Sequence, residues 1–399
     1  MTIRLSARCA ALPSYPLAEI PTIKRRLLAA GVDVIDLGAG DNDTPPPPVV
    51  VEALREALGD PSLSKYGFQQ GLPAFRTACS EYLERRFGQR MDPATDVLPL
   101  IGSKEGLAHL PYAFVNPGEV VLFPEPGYQA YIGGAILSGA LPQVYPLRAE
   151  EEFLLEIERV PAAVLERTRL VYVNYPNNPT AAIAPREYLE RLVAVCRARN
   201  IVLAYDNAYC DLTYDGYVAP SIFEVPGARD VAVEFYSLSK SFSMTGWRLG
   251  WAAGRAELIA ALTKVKSYVD TGPFLALQKA GAVALDRAEE LVAPIRTMLG
   301  ERRDAGVTAL RNAGFEVATP KAAMYLWVPL PAGIPSAPFC RRALEERGVV
   351  TLPGSAFGPA GEGYFRIALT VGPVRLAEAV QRLGQALEAA RGGVVAATA

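Results

Sequence analysis

The chain has 399 residues, half of them apolar, and a formal net charge of −2. This length predicts two or three domains around a large buried core. Lysine and arginine are spread along the chain without forming a basic stripe, and no run approaches the ~18 apolar residues that span a bilayer. Neither nucleic acid nor a membrane is therefore expected as a partner.

Histidine and cysteine are used sparingly. His109 is the only histidine, and the five cysteines are scattered without a C-x-x-C pair. Ser-His-Asp hydrolases and histidine-rich metal centres are therefore excluded, and neither a metal site nor a disulfide framework is predicted. His109 falls in a predicted helix, where a structural role is expected. Pro13 and Pro16 interrupt the N-terminal stretch before a signal-peptide core develops, so we expect a reducing, cytoplasmic location.

The predicted elements begin after a proline-rich connector. In DNDTPPPPVVVEALREAL, Thr44 is a candidate helix start and the four prolines form a stiff extended segment. From Val97 to about Gly254, short apolar runs alternate with helical periodicity. Strands are predicted in EVVLF, RLVYVNY, IVLAYD, VAVEFYSLS and RLGWAAG, and an amphipathic helix in REYLERLVAVCRARN. This alternation predicts an α/β fold with a largely parallel sheet between helices.

The pattern changes after about residue 290. A long helix is predicted there, followed by FEVATP, MYLWVPL, GVVTLPG and YFRIAL as strands around another helix. This arrangement predicts a second, smaller α+β domain.

The segment SLSKSFSMTGWRLGW, residues 237–251, places Lys240 at the end of an apolar strand and between serines. Lysine is rarely found in such surroundings without a task. An amine in an apolar setting, near the cation Arg248, is suited to forming a Schiff base. Ser237, Ser239 and Arg248 could bind a phosphate, the arginine through two parallel hydrogen bonds. The alternative is an exposed lysine on a turn.

A second candidate anion site lies in GSKEGLAHL, after the apolar run VLPLI. A glycine and a small hydroxyl residue followed by a helix leave N–H groups of the first turn free to bind an anion. The hydroxyl of Ser103 and the backbone of Lys104 are the natural donors. A plain capped helix explains the same pattern equally well.

Further polar and aromatic residues follow other strands. Asp206 ends the run IVLAYD, where a buried carboxylate needs a positive partner such as a protonated pyridine nitrogen, or else a structural lysine or arginine. Asn178 in NYPNNPT and Tyr209 in NAYCD could donate to a phenolate oxygen, with turn and core roles as their alternatives. Tyr128 in PEPGYQAY offers a flat face for stacking on a planar cofactor.

Arg366 lies in YFRIAL, within a predicted strand of the second domain and between two apolar residues. A buried arginine leaves an uncompensated charge unless it meets a carboxylate. A substrate α-carboxylate would meet this need, and so would an internal aspartate or glutamate.

Taken in order, these segments resemble the class I/II pyridoxal-phosphate-dependent aminotransferases of fold type I. The resemblance covers about Leu12 to Leu387 and is carried by the motifs YPNNPT, DNAYCDLTYDG, SLSKSFSMTGWRLGW and FRIALT. Within that family, LPSYPLAEI, GSKEGLAHLPYAFVNPGE, PEPGYQAY and NYPNNPT are especially similar to the LL-diaminopimelate aminotransferase group. The resemblance implies an N-terminal arm and part of the small domain over residues 1–48, a large cofactor-binding domain with a mostly parallel seven-stranded sheet over 49–288, and a small α+β C-terminal domain over 289–399.

The resemblance also implies a role for each candidate residue. Lys240 would hold pyridoxal 5′-phosphate as a Schiff base and move the proton during catalysis. Asp206 would pair with the ring nitrogen, while Asn178 and Tyr209 hold the phenolate oxygen and Tyr128 lies against the ring. The phosphate would be held by Ser103, Lys104, Ser237, Ser239 and Arg248, and by Tyr66 of the neighbouring subunit. This last contact implies a homodimer with shared active sites. The substrate would meet Arg366 at its α-carboxylate, with Tyr15 and Gly40 nearby.

The implied activity is transfer of an amino group between an amino acid and a 2-oxo acid, with 2-oxoglutarate as the expected acceptor. LL-diaminopimelate or a related lysine-pathway compound is the expected donor. An aspartate/alanine-type or N-acyl-diaminopimelate aminotransferase is an alternative. A cysteine-conjugate β-lyase would use the same lysine and aspartate. A non-catalytic, aminotransferase-like regulator is disfavoured, because the N-terminal segment leaves no room for a DNA-binding domain.

Overall fold

The computed structural model describes residues 3–13, 20–68 and 70–398, with side chains as far as residue 391. Its strands are β1 Ile35–Asp36, β2 Val97–Leu100, β3 Val120–Glu125, β4 Leu141–Pro146, β5 Thr168–Asn174, β6 Val202–Asp206, β7 Ala232–Ser237, β8 Gly250–Gly254, β9 Tyr325–Pro329, β10 Val349–Val350, β11 Leu352–Pro353 and β12 Tyr364–Ala368. Its helices are α1 Ala7–Ala10, α2 Ile20–Ala29, α3 Pro48–Leu58, α4 Pro73–Phe87, α5 Ser103–Phe114, α6 Gln129–Ser138, α7 Ala162–Leu165, α8 Arg186–Arg199, α9 Leu238–Ser241, α10 Ala256–Lys266, α11 Leu275–Asp286, α12 Ala288–Asn312, α13 Ser336–Arg347 and α14 Pro373–Thr398. Strands and helices alternate from β2 to β6, as the sequence predicts, and no α-helix lies among the described residues between β6 and β7.

The large sheet has seven strands in the order β2-β8-β7-β6-β5-β3-β4. Every pair is parallel except the two that β8 makes with β2 and β7. The mostly parallel sheet predicted from the sequence is therefore confirmed. Because parallel strands end at one edge, the last residues of β5, β6 and β7, namely Asn174, Asp206 and Ser237, are brought to the same side of the sheet.

Helices cover both faces of this sheet. On one face α5, α6 and α10 pack against the strands through a cluster that includes Leu107, Tyr131 and Leu262. On the other face α4, α8 and α11 bury residues such as Phe75 and Leu192. A strand buried on both sides is almost continuously apolar, which is why β5 to β8 stand out in the sequence as mostly hydrophobic runs, with the buried Glu234 as an exception in β7. The predicted amphipathic helix is α8, which ends at Asn200 in the left-handed conformation at φ 52°.

A second group of elements follows α11. The strands β11, β12 and β9 form an antiparallel sheet, and β1 from the N-terminal region pairs in parallel with β10. The helices α12, α13 and α14 pack around a separate apolar cluster of this region. The long helix predicted near residue 290 is confirmed as α12, and the α+β layout of this region is observed. The domain boundaries at residues 48 and 288 stay a prediction. Within the described ranges, none of these helices is both long and apolar enough to cross a bilayer.

Three local predictions were wrong or incomplete. Thr44 does not begin a helix, because its hydroxyl lies 3.0 Å from the Ser243 hydroxyl and α3 starts at Pro48, where a missing N–H costs nothing. FEVATP is not a strand: Phe315 is buried, but the Val317 carbonyl accepts hydrogen bonds from Arg311 instead of a neighbouring strand. GVVTLPG divides into β10 and β11, which belong to different sheets.

Candidate active site

A cavity of about 350 Å³ lies at the edge of the large sheet where β5, β6 and β7 end. It also receives residues of the loop after β1 and of the small-sheet region. Its lining comprises Gly38, Ala39, Gly40, Asp41, Ser103, Lys104, Tyr128, Gln129, Asn174, Asn178, Asp206, Ala208, Tyr209, Ser237, Ser239, Lys240, Thr245, Arg248, Tyr325, Leu352, Ala356, Phe357 and Arg366. All the predicted site residues except Tyr15 and Tyr66 are thus brought together in one chain.

Lys240 lies in the short helix α9, three residues beyond the end of β7. The turn is closed by the Ser237 hydroxyl, which accepts a hydrogen bond from the Ser239 N–H at 3.2 Å. The Lys240 ammonium donates to the Gly40 carbonyl at 2.5 Å, and the Lys240 carbonyl accepts from the Asn42 amide at 3.1 Å. The lysine is therefore held on both its side chain and its backbone by the loop that follows β1.

The candidate anion site combines α5 with Arg248. Helix α5 begins at Ser103, so the N–H groups of Ser103 and Lys104 have no partners inside the helix, and both residues line the cavity. Gly102 precedes it at φ 70°, and a Cβ atom there would lie 2.4 Å from the Arg248 guanidinium. Arg248 itself has φ 56° and donates to the Thr245 carbonyl at 2.9 Å. The predicted donors Ser103, Lys104 and Arg248 thus converge on one end of the cavity.

Asp206 is buried at the end of β6. Its Oδ2 accepts a hydrogen bond from the Tyr131 hydroxyl at 2.8 Å, whereas its Oδ1 has no hydrogen-bond partner among the described residues. Burial raises the pKa of Asp206 to about 6, against the lowering effects of the Tyr131 hydroxyl and the Ala208 N–H. The Asn174 amide fixes the strand end by donating to the Asp206 carbonyl at 2.7 Å. This carboxylate therefore presents one unsatisfied oxygen and favours a cationic neighbour.

Arg366 is buried in β12 and reaches across to the large sheet. Its Nη1 donates to Asn178 Oδ1 at 2.7 Å and its Nη2 donates to the Gly38 carbonyl at 2.6 Å. The guanidinium also lies 4.2 Å from the ring centre of Tyr325 and 4.9 Å from that of Phe357. Because Asn178 presents its oxygen to Arg366, the amide nitrogen is the end of this side chain that can donate to a ligand.

Tyr209 and Tyr128 occupy two further walls. The Tyr209 hydroxyl lies 3.0 Å from the Tyr325 hydroxyl, and burial raises the Tyr209 pKa well above its usual range. Tyr128 caps the start of α6, and the Lys104 ammonium lies 5.8 Å from its ring centre. Gly40 is needed where it stands, since a Cβ atom there would lie 2.4 Å from the Tyr325 hydroxyl.

Two predicted residues are not part of the cavity in one chain. Tyr66 is 74% exposed and lies next to Phe68, with their ring centres 5.9 Å apart. Tyr15 lies outside the described residues.

Sequence reasoning missed several residues of the site. Asn174, Tyr131 and Tyr325 were not predicted, although each contacts a predicted residue. The position of Asn174 as the last residue of an apolar strand could have been noticed, because Asp206 was found by that same criterion. For Tyr131 and Tyr325 no signal distinguishes them from core aromatic residues.

Comparisons with known proteins place this geometry in a family. The family model described as aminotransferase class I and II matches residues 32–383. The LL-diaminopimelate aminotransferase of Aquifex aeolicus (strain VF5) is 46% identical over 378 residues, covering 95% of this chain and 98% of the relative.

Solved structures agree with this match. A probable N-succinyldiaminopimelate aminotransferase from Thermus thermophilus is 38% identical with a TM-score of 0.88, covering 92% of this chain and 99% of that one. The substrate-bound BacF structure from Bacillus subtilis is 33% identical with a TM-score of 0.92, covering 97% of this chain and 98% of that one. The chain therefore belongs to the class I and II aminotransferases, a family of fold type I enzymes that use pyridoxal phosphate.

Proposed function

We propose that the chain binds pyridoxal 5′-phosphate and transfers the α-amino group of LL-diaminopimelate to 2-oxoglutarate. The observation that carries the proposal is the convergence of Lys240, an unsatisfied Asp206 oxygen and the α5 anion site within one cavity of about 350 Å³. An amine, an open carboxylate oxygen and a cluster of anion donors match the chemistry of the cofactor's aldehyde, ring nitrogen and phosphate, so the residues present fit the group.

The residues that would hold the cofactor divide by charge. Asp206 Oδ1 would accept from the protonated ring nitrogen, the pairing that a buried carboxylate with a raised pKa favours. The N–H groups at the start of α5 and the Arg248 guanidinium would hold the phosphate, together with hydroxyl groups of Ser103, Ser237 and Ser239. Tyr128 would lie against the ring, and Asn178 and Tyr209 would donate to its phenolate oxygen. Lys240 would bind the aldehyde carbon covalently.

When bound, the cofactor supplies an electron sink for the electron pair left at the substrate Cα. The chain's own residues set the geometry of that step. Arg366 would bind the substrate α-carboxylate in place of its contacts to Asn178 and Gly38, both of which are neutral acceptors. The Lys240 amine would act as the base that takes the proton from the substrate Cα and delivers it to the carbon that carried the cofactor's aldehyde. The Gly40 carbonyl, 2.5 Å from the ammonium, steadies the lysine for this role.

The donor is proposed from the relatives. The LL-diaminopimelate aminotransferase of Aquifex aeolicus covers nearly the whole chain at 46% identity, which supports LL-diaminopimelate. The Thermus thermophilus structure, titled a probable N-succinyldiaminopimelate aminotransferase, supports the N-succinyl compound as the second candidate. Both share the α-amino and α-carboxylate groups that the reaction needs and differ only at the far end of the substrate.

A homodimer with shared active sites is also proposed. Tyr66 would reach the cofactor phosphate of the partner subunit. Its ring is 74% exposed in the single chain and Phe68 beside it is 71% exposed, an arrangement that favours burial against another protein surface.

The test is a screen of amino donors with 2-oxoglutarate, in which glutamate formation is measured. LL-diaminopimelate, N-succinyl-LL-diaminopimelate, aspartate, alanine and aromatic amino acids are compared, with Lys240→Ala as the matched inactive control. We expect kcat/KM for LL-diaminopimelate to exceed that of each other donor by about tenfold or more, a difference of ~1.4 kcal/mol in transition-state binding. A higher kcat/KM for the N-succinyl compound would select the second candidate. Release of pyruvate and ammonia from a cysteine conjugate without an acceptor would instead indicate a β-lyase.

A further inference from the structure

A cluster of buried charged residues lies next to the start of α5, where the cofactor phosphate would bind. None of its members has a role in the proposed reaction. The side chain of Lys266, the last residue of α10, is fully buried. Its ammonium lies 2.6 Å from Glu105 Oε2 and 2.9 Å from Asp270 Oδ1. Burying an ammonium is costly unless it is paired and hydrogen-bonded, and an apolar side chain of similar volume would fill this space without that cost.

Glu105 connects the cluster to the start of α5. Its Oε2 also accepts from the Ile101 N–H at 3.1 Å, and its Oε1 lies 2.8 Å from His109 Nδ1. The Glu105 N–H in turn donates to the Gly102 carbonyl at 3.2 Å. The carboxylate therefore closes a loop around Gly102, Ser103 and Lys104, whose donors face the cavity. His109, predicted to be structural, is part of this support.

Asp270 connects the cluster to the next segment of the chain. Its Oδ1 accepts from both Lys266 and the Gly272 N–H, the latter at 2.7 Å. The turn after it has positive φ at Thr271 and Gly272 and leads into α11. Glu105, His109 and Asp270 bring three possible ligand atoms within 4.8 Å of one another, but the Lys266 ammonium already lies against both carboxylates. The group is thus an ion-pair network and not a cation site.

The location of Glu105 explains why it needs a cation. It is the third residue of α5, so its negative charge lies within one turn of N–H groups that would bind a dianionic phosphate. An unpaired carboxylate there would repel the phosphate, whereas the Lys266 ammonium neutralises it. Gly102 gives a second reason for anchoring this loop. A glycine at φ 70° leaves the backbone more conformational freedom, which other contacts must restrict.

We propose that Lys266, through its ion pair with Glu105, is a positioning residue that fixes the first turn of α5 for binding the cofactor phosphate. The proposal rests on the proposed function, since it assigns the phosphate of that cofactor to the α5 site. It predicts a loss of binding affinity that is large for a ligand with a phosphate group and small for a ligand without one. Loss of a residue that only stabilised the fold would weaken the binding of every ligand of the cavity to the same extent.

The experiment compares wild type with Lys266→Met, which keeps the apolar stem of the side chain but removes the ammonium and leaves the Glu105 carboxylate without its cation. Dissociation constants are measured for pyridoxal phosphate and for pyridoxal, which lacks the phosphate, on cofactor-free protein. Inorganic phosphate is titrated separately by its effect on Tm. Lys264→Met is the matched control, because Lys264 is an exposed lysine of the same helix.

We expect Lys266→Met to weaken the binding of pyridoxal phosphate by about tenfold and to change the binding of pyridoxal by less than about twofold, because the unpaired Glu105 carboxylate then repels only the charged phosphate. Inorganic phosphate should raise the Tm of wild type and of the control more than that of Lys266→Met. Equal weakening of both pyridoxal ligands, or no weakening of either, would overturn the proposal.

A second variant and the phosphate titration ensure that every outcome tests the proposal. If Lys266→Met does not fold, the double variant Lys266→Met with Glu105→Gln removes the unpaired carboxylate as well, and it should show the same preference on a smaller scale because the tie between α10 and α5 is lost. If wild-type protein takes up no pyridoxal phosphate, the proposed function fails, and the inorganic phosphate titration still decides whether Lys266 and Glu105 support an anion site. Failure of wild type to respond to phosphate would overturn the inference itself.

Discussion

At the scale of single residues, the protein keeps a carboxylate at Asp206 in surroundings that oppose its charge. Only one of its oxygens is satisfied, by Tyr131, and burial raises its pKa to about 6 from the ordinary value of 3.8. Such an arrangement lowers the stability of the free protein. The lost stability is regained when a cation binds to the open oxygen. The same pressure acts on Glu234, which is fully buried between Ser221 and Asn207 and has a pKa raised to about 7.

A pH-dependent stability difference follows for Asp206→Asn. Because the folded-state pKa of Asp206 is raised, its contribution to stability is complete below pH ~4 and is lost as the pH rises through ~6. At pH 8 the cofactor-free variant should exceed wild type in free energy of unfolding by on the order of 2–3 kcal/mol, and the difference should vanish near pH 4. Urea unfolding of both proteins across this range measures the effect.

Activity should move in the opposite direction for the same variant. An amide cannot supply the negative charge that would pair with the protonated ring nitrogen of the proposed cofactor. Turnover should therefore fall by about a hundredfold or more, which corresponds to ~3 kcal/mol in activation free energy. Glu234→Gln is the control, because it relieves a buried charge away from the cavity and should stabilise without a comparable loss of turnover. If the free energy of unfolding of wild type and of Asp206→Asn depended on pH in the same way, the role assigned to Asp206 would be contradicted.

At the scale of elements, the glycine before α5 is needed on two counts. Gly102 has φ 70°, and a side chain there would contact the Arg248 guanidinium. Gly102→Ala should therefore reduce the free energy of unfolding by about 1–3 kcal/mol, the usual cost for a residue with a Cβ atom in a backbone conformation, here φ 70° and ψ 154°, that is essentially confined to glycine. It should also displace Arg248 and weaken pyridoxal phosphate by more than about tenfold.

Gly133→Ala is the matched control for that change. Gly133 lies inside α6, where an added Cβ atom meets no other atom within 4 Å. Alanine should raise stability there by about 0.5–1 kcal/mol through helix propensity and leave cofactor affinity unchanged. Thermal unfolding and cofactor titration of both variants distinguish the two positions. Equal effects at both glycines would show that the Arg248 contact has no importance.

Residues at strand ends were predictable because sheet topology brings them together. Asp206 is the last residue of β6 and Lys240 lies three residues after the end of β7, and parallel strands place such positions along one edge. Tyr131 and Tyr325 were not predictable, since they lie within a helix and a strand and look like core residues until their partners are known. FEVATP failed for a related reason: its apolar residues are buried by side-chain packing without any strand partner.

At the scale of the whole molecule, the loop after β1 joins parts of the chain that are far apart in sequence. Asn42 bonds the Lys240 carbonyl, and Asp43 makes two hydrogen bonds, of 2.7 and 3.0 Å, with Arg302 on α12. Gly38 accepts from Arg366 on β12. The lysine of the large sheet and the arginine of the small sheet are thus set relative to each other by one short loop. No local pattern in DNDTPPPP predicts these long-range contacts.

The proposed sharing of active sites between two subunits can be tested by complementation. If Tyr66 serves the partner subunit, Lys240→Ala and Tyr66→Ala damage different sites of a dimer. In a mixed dimer of the two variants, one site combines an intact Lys240 with an intact Tyr66, while the other lacks both. Random pairing on co-expression gives about half mixed dimers, so about a quarter of the wild-type sites should be restored.

The control pairs Lys240→Ala with Arg248→Ala. Both residues line the same cavity of one chain, so a mixed dimer of these two variants contains no intact site and should stay inactive. Activity is measured at limiting pyridoxal phosphate, where the loss of a phosphate contact by Tyr66→Ala is greatest, and sedimentation establishes the subunit number. Recovery in the first pair alone assigns Tyr66, 74% exposed in the single chain, to the partner's cofactor. A monomeric protein, or no recovery in either pair, would instead leave Tyr66 as an ordinary surface residue.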